Sequence, residues 1–244
     1  MSGHSKWSTI KRKKGENDAA RSKVFTKIGR EITVCVKESG PDPSSNSKLK
    51  DLIAKAKASN VPNDNIDRVI KKAAGDGDKQ SYETAVYEGY GPNGIAVIVE
   101  ALTDNKNRTA ADVRHYFDKF GGNLGTMGCV SFMFERKGVI IIENDGIDEE
   151  KVMDDAMECG AADIDYQDDA IEIVTDPADF SAVRQALEDK GYTFASAQIE
   201  QVPSTYTALT DETHISKMNR LLEALEDNDD VQEIWHNWEN PDEE

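Results

Sequence analysis

The chain has 244 residues, of which 38% are hydrophobic and 31% are charged, and its formal net charge is −18. This composition is typical of a water-soluble globular protein with one large core or two to three small ones. No apolar run approaches the roughly 18 residues needed to cross a bilayer, and charges stand where a signal peptide would be apolar. We therefore expect a cytoplasmic protein without a membrane partner.

Cationic side chains are concentrated at the N-terminus. Residues 1–75 carry 17 Lys and Arg against 8 Asp and Glu, a net charge of +9, whereas the remaining 169 residues carry 12 against 39, a net charge of −27. A phosphate backbone is attracted to the first part and repelled by the second. We therefore predict that the N-terminal region binds nucleic acid, through His4, Lys6, Trp7, Lys11, Arg12, Lys13, Lys14, Arg21, Lys23, Lys27 and Arg30. Trp7 would either stack on a base or anchor the arm to the helical module.

Residues 1–80 are predicted to hold this basic arm and a three-helix module. Apolar residues recur every four positions from Val24 to Val36, until Gly40-Pro41 ends the helix. A second helix is predicted from the cap at 44–47, and a third from Pro62-Asn63 to Gly75. The stretch 75–78 is small and polar, which is typical of a linker.

Strand patterns follow the linker. The segments 84–90 and 95–102 form a predicted hairpin, followed by a helix at 108–120 and a strand at 129–134. From 138 to 202 the order strand, helix, strand, strand, helix, strand predicts a ferredoxin-like βαββαβ domain. The last segment, with strands at 206–209 and 231–235 and a helix at 213–226, is too short to bury its own core. We therefore join 203–244 to 81–137 as one discontinuous domain, into which 138–202 is inserted. The predicted class is α+β, with a helical module and two ferredoxin-like α/β domains.

Two glycine patterns are candidates for ligand sites. Gly89, Gly91 and Gly94 fit a dinucleotide-binding pattern, but a strand follows them instead of a helix, which favours a hairpin. The stretch 121–128 has four glycines and no Lys-Ser/Thr pair, so it is no phosphate-binding P-loop. It is interpreted as a mobile loop, either an ordinary connection or an RNA contact through Asn123, Gly125 and Met127.

The residue types do not indicate an enzyme. No nucleophile is paired with a base, and the acidic residues are spread over exposed faces. Cys35, Cys129 and Cys159 are interpreted as reduced core thiols, and the four histidines show no ligand spacing. We expect no catalytic residue, no metal, no cofactor and no small-molecule substrate.

Several blocks of the chain together resemble the YebC/PmpR family along essentially its full length. They are Gly-His-Ser-Lys-Trp at 3–7, Lys-Val-Phe-Thr-Lys at 23–27, Arg-Glu-Ile-Thr-Val at 30–34, Tyr-Glu-Gly-Tyr-Gly-Pro at 87–92, Leu-Thr-Asp-Asn at 102–105, Asn-Arg-Thr at 107–109, Gly-Gly-Asn-Leu-Gly at 121–125 and Val-Pro-Ser-Thr at 202–205. The resemblance implies a helical N-terminal domain followed by two α/β domains. The chain departs from the family pattern at Lys11–Lys14 and at Met127–Cys129.

The resemblance implies a non-enzymatic factor in gene expression and leaves two functions open. One is a DNA-binding regulator of transcription, and the other is a ribosome-associated factor that binds ribosomal RNA and relieves stalling at proline-rich stretches. A third interpretation, from the charge of the body alone, is an acidic scaffold that binds a basic protein. The sequence shows no clear helix-turn-helix, so base-specific readout is not expected.

Overall fold

The computed structural model describes Trp7 and residues 18–75, 81–167 and 169–239, with side chains of the first helix from Lys23 onward. Its elements in chain order are α1 (Asp18–Ser39), α2 (Ser47–Ala58), α3 (Asn63–Ala74), β1 (Glu83–Tyr90), β2 (Ala96–Thr103), α4 (Lys106–Lys119), β3 (Asn123–Leu124), β4 (Phe134–Glu143), α5 (Glu149–Cys159), β5 (Asp163–Tyr166), β6 (Ala170–Thr175), α6 (Phe180–Asp189), β7 (Ser196–Pro203), α7 (Glu212–Asp227) and β8 (Val231–His236). None of the described helices is long and apolar enough to cross a membrane.

Helices α1 to α3 form the helical domain, as the apolar periodicity predicted. Their core includes Ile28, Ile32, Leu49 and Ile66, which lie on the inward faces of the three helices. Asn46 is the N-cap of α2, and its side-chain oxygen accepts a hydrogen bond from the backbone N–H of Leu49 at 3.1 Å. A single apolar stripe on each helix is therefore buried, and the opposite faces are left for other contacts.

The discontinuous domain is an antiparallel sheet in the order β3-β1-β2-β8. The predicted hairpin is confirmed: β1 pairs with β2 up to Tyr90 opposite Ala96, around a short 3₁₀ turn at Pro92–Gly94. Helices α4 and α7 cover one face, where Val97 and Val99 pack with Phe117 and Leu221. Alternate residues of β2 point to the other face, as the two-residue period of a strand requires.

The inserted domain is the sheet of residues 134–203 with its two helices. Its strand order is β5-β6-β4-β7 with every neighbouring pair antiparallel, which is the ferredoxin-like arrangement expected from the βαββαβ order. Helices α5 and α6 cover one face, where Val152 and Leu187 meet Ile140 and Ile173. Trp7 lies on the opposite face of this sheet, which neither helix covers.

Two predicted strands of the discontinuous domain are wrong. Residues 129–134 do not form a strand of the first sheet, since Ser131–Met133 is a 3₁₀ turn and Phe134 already begins β4 of the second sheet. The segment 206–209 contributes one isolated bridge, between Thr207 and Trp238. The first sheet instead contains the hairpin strand β1 and the short β3, since β1 pairs with β2 along one edge and with β3 along the other.

Candidate nucleic-acid interface

Trp7 is buried, with 8% of its surface exposed. Its indole Nε1–H donates a hydrogen bond to Oδ1 of Asp169 at 2.6 Å, and its ring packs on Val139, Ile141 and Ala170. It therefore anchors the N-terminal segment to the inserted domain, whereas the sequence left open stacking on a base or an anchor to the helical module. A ring in this position has no free face for a nucleic-acid base, so stacking by Trp7 would require it to leave the sheet.

Three of the described cations of α1 contact the discontinuous domain. Lys23 forms an ion pair with Asp227 at 2.7 Å, Lys27 donates to the carbonyl oxygen of Glu226 at 2.8 Å, and Arg30 pairs with Asp230 at 2.7 Å. The sequence assigned these three side chains to phosphate. In the structure they hold α1 against the end of α7 and the start of β8, about 200 residues further along the chain.

Asp230 is the centre of this contact. Its carboxylate also accepts hydrogen bonds from Arg108 at 2.7 Å, Thr109 at 2.8 Å and Thr103 at 3.1 Å. Burial raises the pKa of a carboxyl group, but here the hydrogen bonds from Arg108, Arg30 and Thr109 outweigh it and lower the pKa of Asp230 to about 2. The carboxylate is therefore charged at neutral pH and joins the helical domain to β2, α4 and β8.

A second charged cluster lies where α2 meets β8. Lys55 donates to Glu233 at 2.9 Å and to Glu31 at 3.2 Å. Burial opposes the charge of Lys55, but the two carboxylates outweigh it and raise its pKa. Burial raises the pKa of Glu31 and of Glu100, and Glu233 adds to both shifts by like-charge repulsion. One ammonium thus faces three carboxylates.

Helix α2 also contacts the inserted domain. Asp51 accepts hydrogen bonds from Arg184 Nε at 3.0 Å and from the hydroxyl of Ser181 at 2.6 Å. The Arg184 side chain is only 3% exposed, and its other group, Nη1, reaches Glu188 at 3.1 Å. These contacts fix the helical domain to both α/β domains. The cations on its inward side form ion pairs with acidic side chains of the discontinuous domain.

The outward cations of the helical domain are on α2 and α3. The side chains concerned are exposed and, within the described residues, take part in no ion pair; they are Lys48, Lys50, Lys57, Arg68, Lys71 and Lys72. Arg68, Lys71 and Lys72 line a shallow, open depression of about 580 Å³ on α3, which Asp64 and Asp67 share. The sequence-based site omitted all six. The signal was available in α3, where the cations alternate with buried Ile66 and Ala73 at helical spacing.

The glycine-rich loop is tied to β1 by one carboxylate. Glu88, which is 4% exposed, accepts hydrogen bonds from the backbone N–H groups of Gly128 at 2.8 Å, Val130 at 3.0 Å and Ser131 at 2.9 Å. Burial raises its pKa, but these backbone hydrogen bonds outweigh burial and lower the pKa of Glu88. The predicted mobile loop is thus hydrogen-bonded to β1 at several backbone positions, since Gly125 N–H also donates to the carbonyl oxygen of Glu88.

The held loop presents two large apolar side chains to solvent. Met127 is 83% exposed and Phe132 is 75% exposed, although both adjoin well-ordered backbone contacts. Asn123 pairs with Tyr90 in the short strand β3, and a side chain at Gly125 would place its Cβ 2.5 Å from Sγ of Cys129. Asn123 and Gly125 therefore shape the loop, while Met127 and Phe132 form its tip.

The remaining predicted contacts, His4, Lys6, Lys11, Arg12, Lys13 and Lys14, lie outside the described residues, as does the side chain of Arg21. Among the residues that the structure describes, no group of three or more His, Cys, Asp or Glu side chains could hold a metal ion. The three cysteines are free thiols, with Cys35 buried beside Asn46.

These elements define a class: a three-domain α+β protein in which a helical domain, cationic on its outer face, is fixed to two acidic α/β domains. The profile of the TACO1/YebC protein N-terminal domain matches residues 5–76, and that of the TACO1/YebC second and third domain matches residues 82–238. The chain belongs to the TACO1/YebC family.

Relatives of known sequence and structure agree with this assignment. The chain is 61% identical over 239 residues to a probable transcriptional regulatory protein of Acetivibrio thermocellus. The matched region covers 98% of this chain and 99% of the relative. It is 61% identical over 244 residues to one of Ruminiclostridium cellulolyticum, covering 100% and 98%. The crystal structure of a conserved hypothetical protein of Aquifex aeolicus is similar, with a TM-score of 0.83, 44% identity and 91% of each chain covered.

Proposed function

We propose that the chain is a non-enzymatic regulator of gene expression that binds nucleic acid through its N-terminal region. One observation carries the proposal: the helical domain keeps cations on α2 and α3 that are exposed and form no ion pair among the described residues, although both of its neighbouring domains are acidic. The chain has 47 Asp and Glu against 29 Lys and Arg, so acidic side chains are numerous enough to pair with every cation. Clustered outward cations attract a phosphate backbone and release its counterions.

The phosphate contacts in this proposal differ from those expected from sequence. Lys23, Lys27 and Arg30 hold the domains together, so they contribute to the fold and not to the ligand. Their places are taken by the cations of α2 and α3, together with the basic arm at Lys11–Lys14. The relatives' names, as probable transcriptional regulatory proteins, favour DNA as the ligand.

A ribosome-associated function is the second candidate, and the loop tip favours it. Phe132 and Met127 are both exposed, and an exposed phenylalanine suits stacking against unpaired bases, which folded RNA offers and duplex DNA does not. On this alternative the ligand is ribosomal RNA and the outcome is relief of stalling at proline-rich stretches. The acidic-scaffold interpretation remains the third candidate, supported by the net charge of −27 beyond residue 75.

Salt dependence of binding tests the proposal. The probes are a labelled 20-base-pair DNA duplex and a labelled RNA hairpin with an unpaired loop, measured by fluorescence anisotropy between about 50 and 200 mM salt. If about six phosphates are neutralised, the slope of log K against log salt is about −4 to −5. Alanine at Arg68, Lys71 and Lys72 together should flatten the slope by about 2 to 3.

The matched control removes the same charge elsewhere. Alanine at Arg114, Lys217 and Arg220, which are exposed cations of the discontinuous domain, should leave the slope unchanged. Equal effects of the two triple variants would show that only overall charge matters and would contradict the proposed interface. Phe132→Ala separates the candidates, because it should weaken binding to the RNA hairpin about tenfold and leave the duplex unaffected.

A further inference from the structure

The surface on which Trp7 lies is apolar at its centre. Because side chains alternate along a strand, Val139 and Ile141 of β4 point away from helices α5 and α6, as does Ala170 of β6. Val202 of β7 packs beside them. We call this surface the helix-free face. Trp7 covers part of it, and its burial to 8% exposure shows a close fit between the indole and the sheet.

The same face is acidic around its apolar centre. The two-residue period places Glu172 of β6 and Glu200 of β7 on it, and both are nearly buried at 2% and 5% exposure. Glu200 also accepts hydrogen bonds from Gln198 and from Trp235 of the discontinuous domain. Asp163 and Asp165 of β5 also point this way, since Ile164 between them packs on the helix side. Asp169 completes the set through its hydrogen bond to Trp7. The inserted domain as a whole carries 5 Lys and Arg against 19 Asp and Glu, a net charge of −14.

The chemistry of this face selects a basic segment with an aromatic anchor, and the N-terminal segment is such a sequence. Lys6 adjoins Trp7, and Lys11 to Lys14 follow four to seven residues later. A chain spans at most about 3.5 Å per residue, so these cations stay within about 14 to 25 Å of the indole whatever their conformation. Docked Trp7 therefore keeps the basic arm beside a strongly acidic domain.

We propose that the helix-free face is an intramolecular docking surface for the basic N-terminal segment, held through Trp7, and that nucleic acid displaces the segment from it. The second half of this inference rests on the proposed function. Carboxylates and phosphates compete for the same cations, and they repel each other over a screening length of about 8 Å at physiological salt. The arm consequently binds either the acidic face or the nucleic acid. The fraction of molecules in which Trp7 is undocked therefore determines the apparent affinity for nucleic acid.

The docking half can be measured without nucleic acid. The chain has three tryptophans, Trp7, Trp235 and Trp238, so incorporation of 5-fluorotryptophan gives three fluorine NMR signals, of which Trp7→Phe assigns one. The Trp7 signal should be protected from solvent in the wild type and shift towards the exposed position in Asp169→Asn, because an amide oxygen is a weaker acceptor for the indole N–H than a carboxylate. Asp154→Asn is the matched control, because it removes one carboxylate from α5 on the other side of the same sheet. A Trp7 signal exposed to solvent in the wild type would overturn the inference at once.

The competition half uses the same labelled protein and the two nucleic-acid probes. Binding of either probe should move the Trp7 signal to the exposed position and leave in place that of Trp238, which is buried in the core of the discontinuous domain. Trp7→Ala should bind the probe about tenfold more tightly than the wild type, since a hydrogen bond to a charged acceptor no longer has to be broken. Asp154→Asn should bind as the wild type does.

The outcomes separate this inference from the proposed function. If the wild type binds with a steep salt slope while the Trp7 signal stays protected, or if Trp7→Ala binds no more tightly, the competition is refuted and nucleic-acid binding stands. If neither the wild type nor Trp7→Ala binds either probe, the proposed function fails, and with it the competition. A protected Trp7 signal would then leave the face as a purely structural anchor, which also contradicts displacement.

Discussion

Asp230→Ala removes the carboxylate on which four side chains of three elements converge. Arg30, at 17% side-chain exposure, would lose its ion pair, and the buried hydroxyl of Thr109 would lose its charged acceptor, whereas Arg108, at 48%, can turn to solvent. Removing one partner of a buried pair costs about 3 to 5 kcal/mol. Because Arg108 can be rehydrated, we expect the loss at the lower end of this range, a decrease of about 3 kcal/mol in the free energy of unfolding.

The assay is equilibrium urea unfolding at pH 7, with hydrogen exchange of the α1 amides as a second readout. Exchange in α1 should accelerate, because Arg30 holds that helix to the discontinuous domain. Asp229→Ala is the matched control: Asp229 is exposed and forms no described contact, so the free energy of unfolding should change by less than about 0.5 kcal/mol.

The effect has a defined pH dependence. The pKa of Asp230 falls from 3.8 to about 2 on folding, so its contribution is fully present above pH 4 and is lost as the pH falls towards 2. The difference between wild type and Asp230→Ala should therefore shrink by about 1 kcal/mol between pH 7 and pH 3. A loss below 1 kcal/mol at pH 7, or one independent of pH, would refute the role assigned to this carboxylate.

Three further predictions concern the other contacts. Asp51→Ala leaves Glu188 as the one remaining ion-pair partner of the Arg184 side chain, which is 3% exposed. The free energy of unfolding in urea titrations should fall by about 2 to 3 kcal/mol. An unchanged value would mean that the helical domain is not docked at Asp51. Glu88→Gln removes the charge that accepts three backbone N–H groups and should speed hydrogen exchange of the glycine-rich loop at least tenfold; unchanged exchange would mean that another contact holds the loop. The pKa of Glu100 is raised by burial and by Glu233, so its charge destabilises the fold as the pH rises through that value. Glu100→Gln should stabilise the protein at pH 7 by up to about 1 kcal/mol and have no effect at pH 4, and stabilisation at both pH values would contradict this reasoning.

Much of the fold could be predicted because its signals are local. The apolar repeat of α1, the asparagine cap of α2 and the Pro-Asn-Gly turn after β1 each specify their element within a few residues. The strand at 206–209 was predicted on similar patterning and is wrong. It forms one isolated bridge, between Thr207 and Trp238, and it is not a strand of the first sheet, in which β2 already has β1 and β8 at its two edges.

The sequence by itself determined the segregation of charge, the three helices and the βαββαβ order, since composition and periodicity belong to the chain before it folds. Only the tertiary structure decided what each charge does. The sequence does not distinguish Lys23 from Lys71, yet Lys23 forms an ion pair with Asp227 and Lys71 faces solvent. The partners of Trp7 and Arg30 lie 162 and 200 residues away, and at such separations contact is set by how whole domains pack, which no local pattern records.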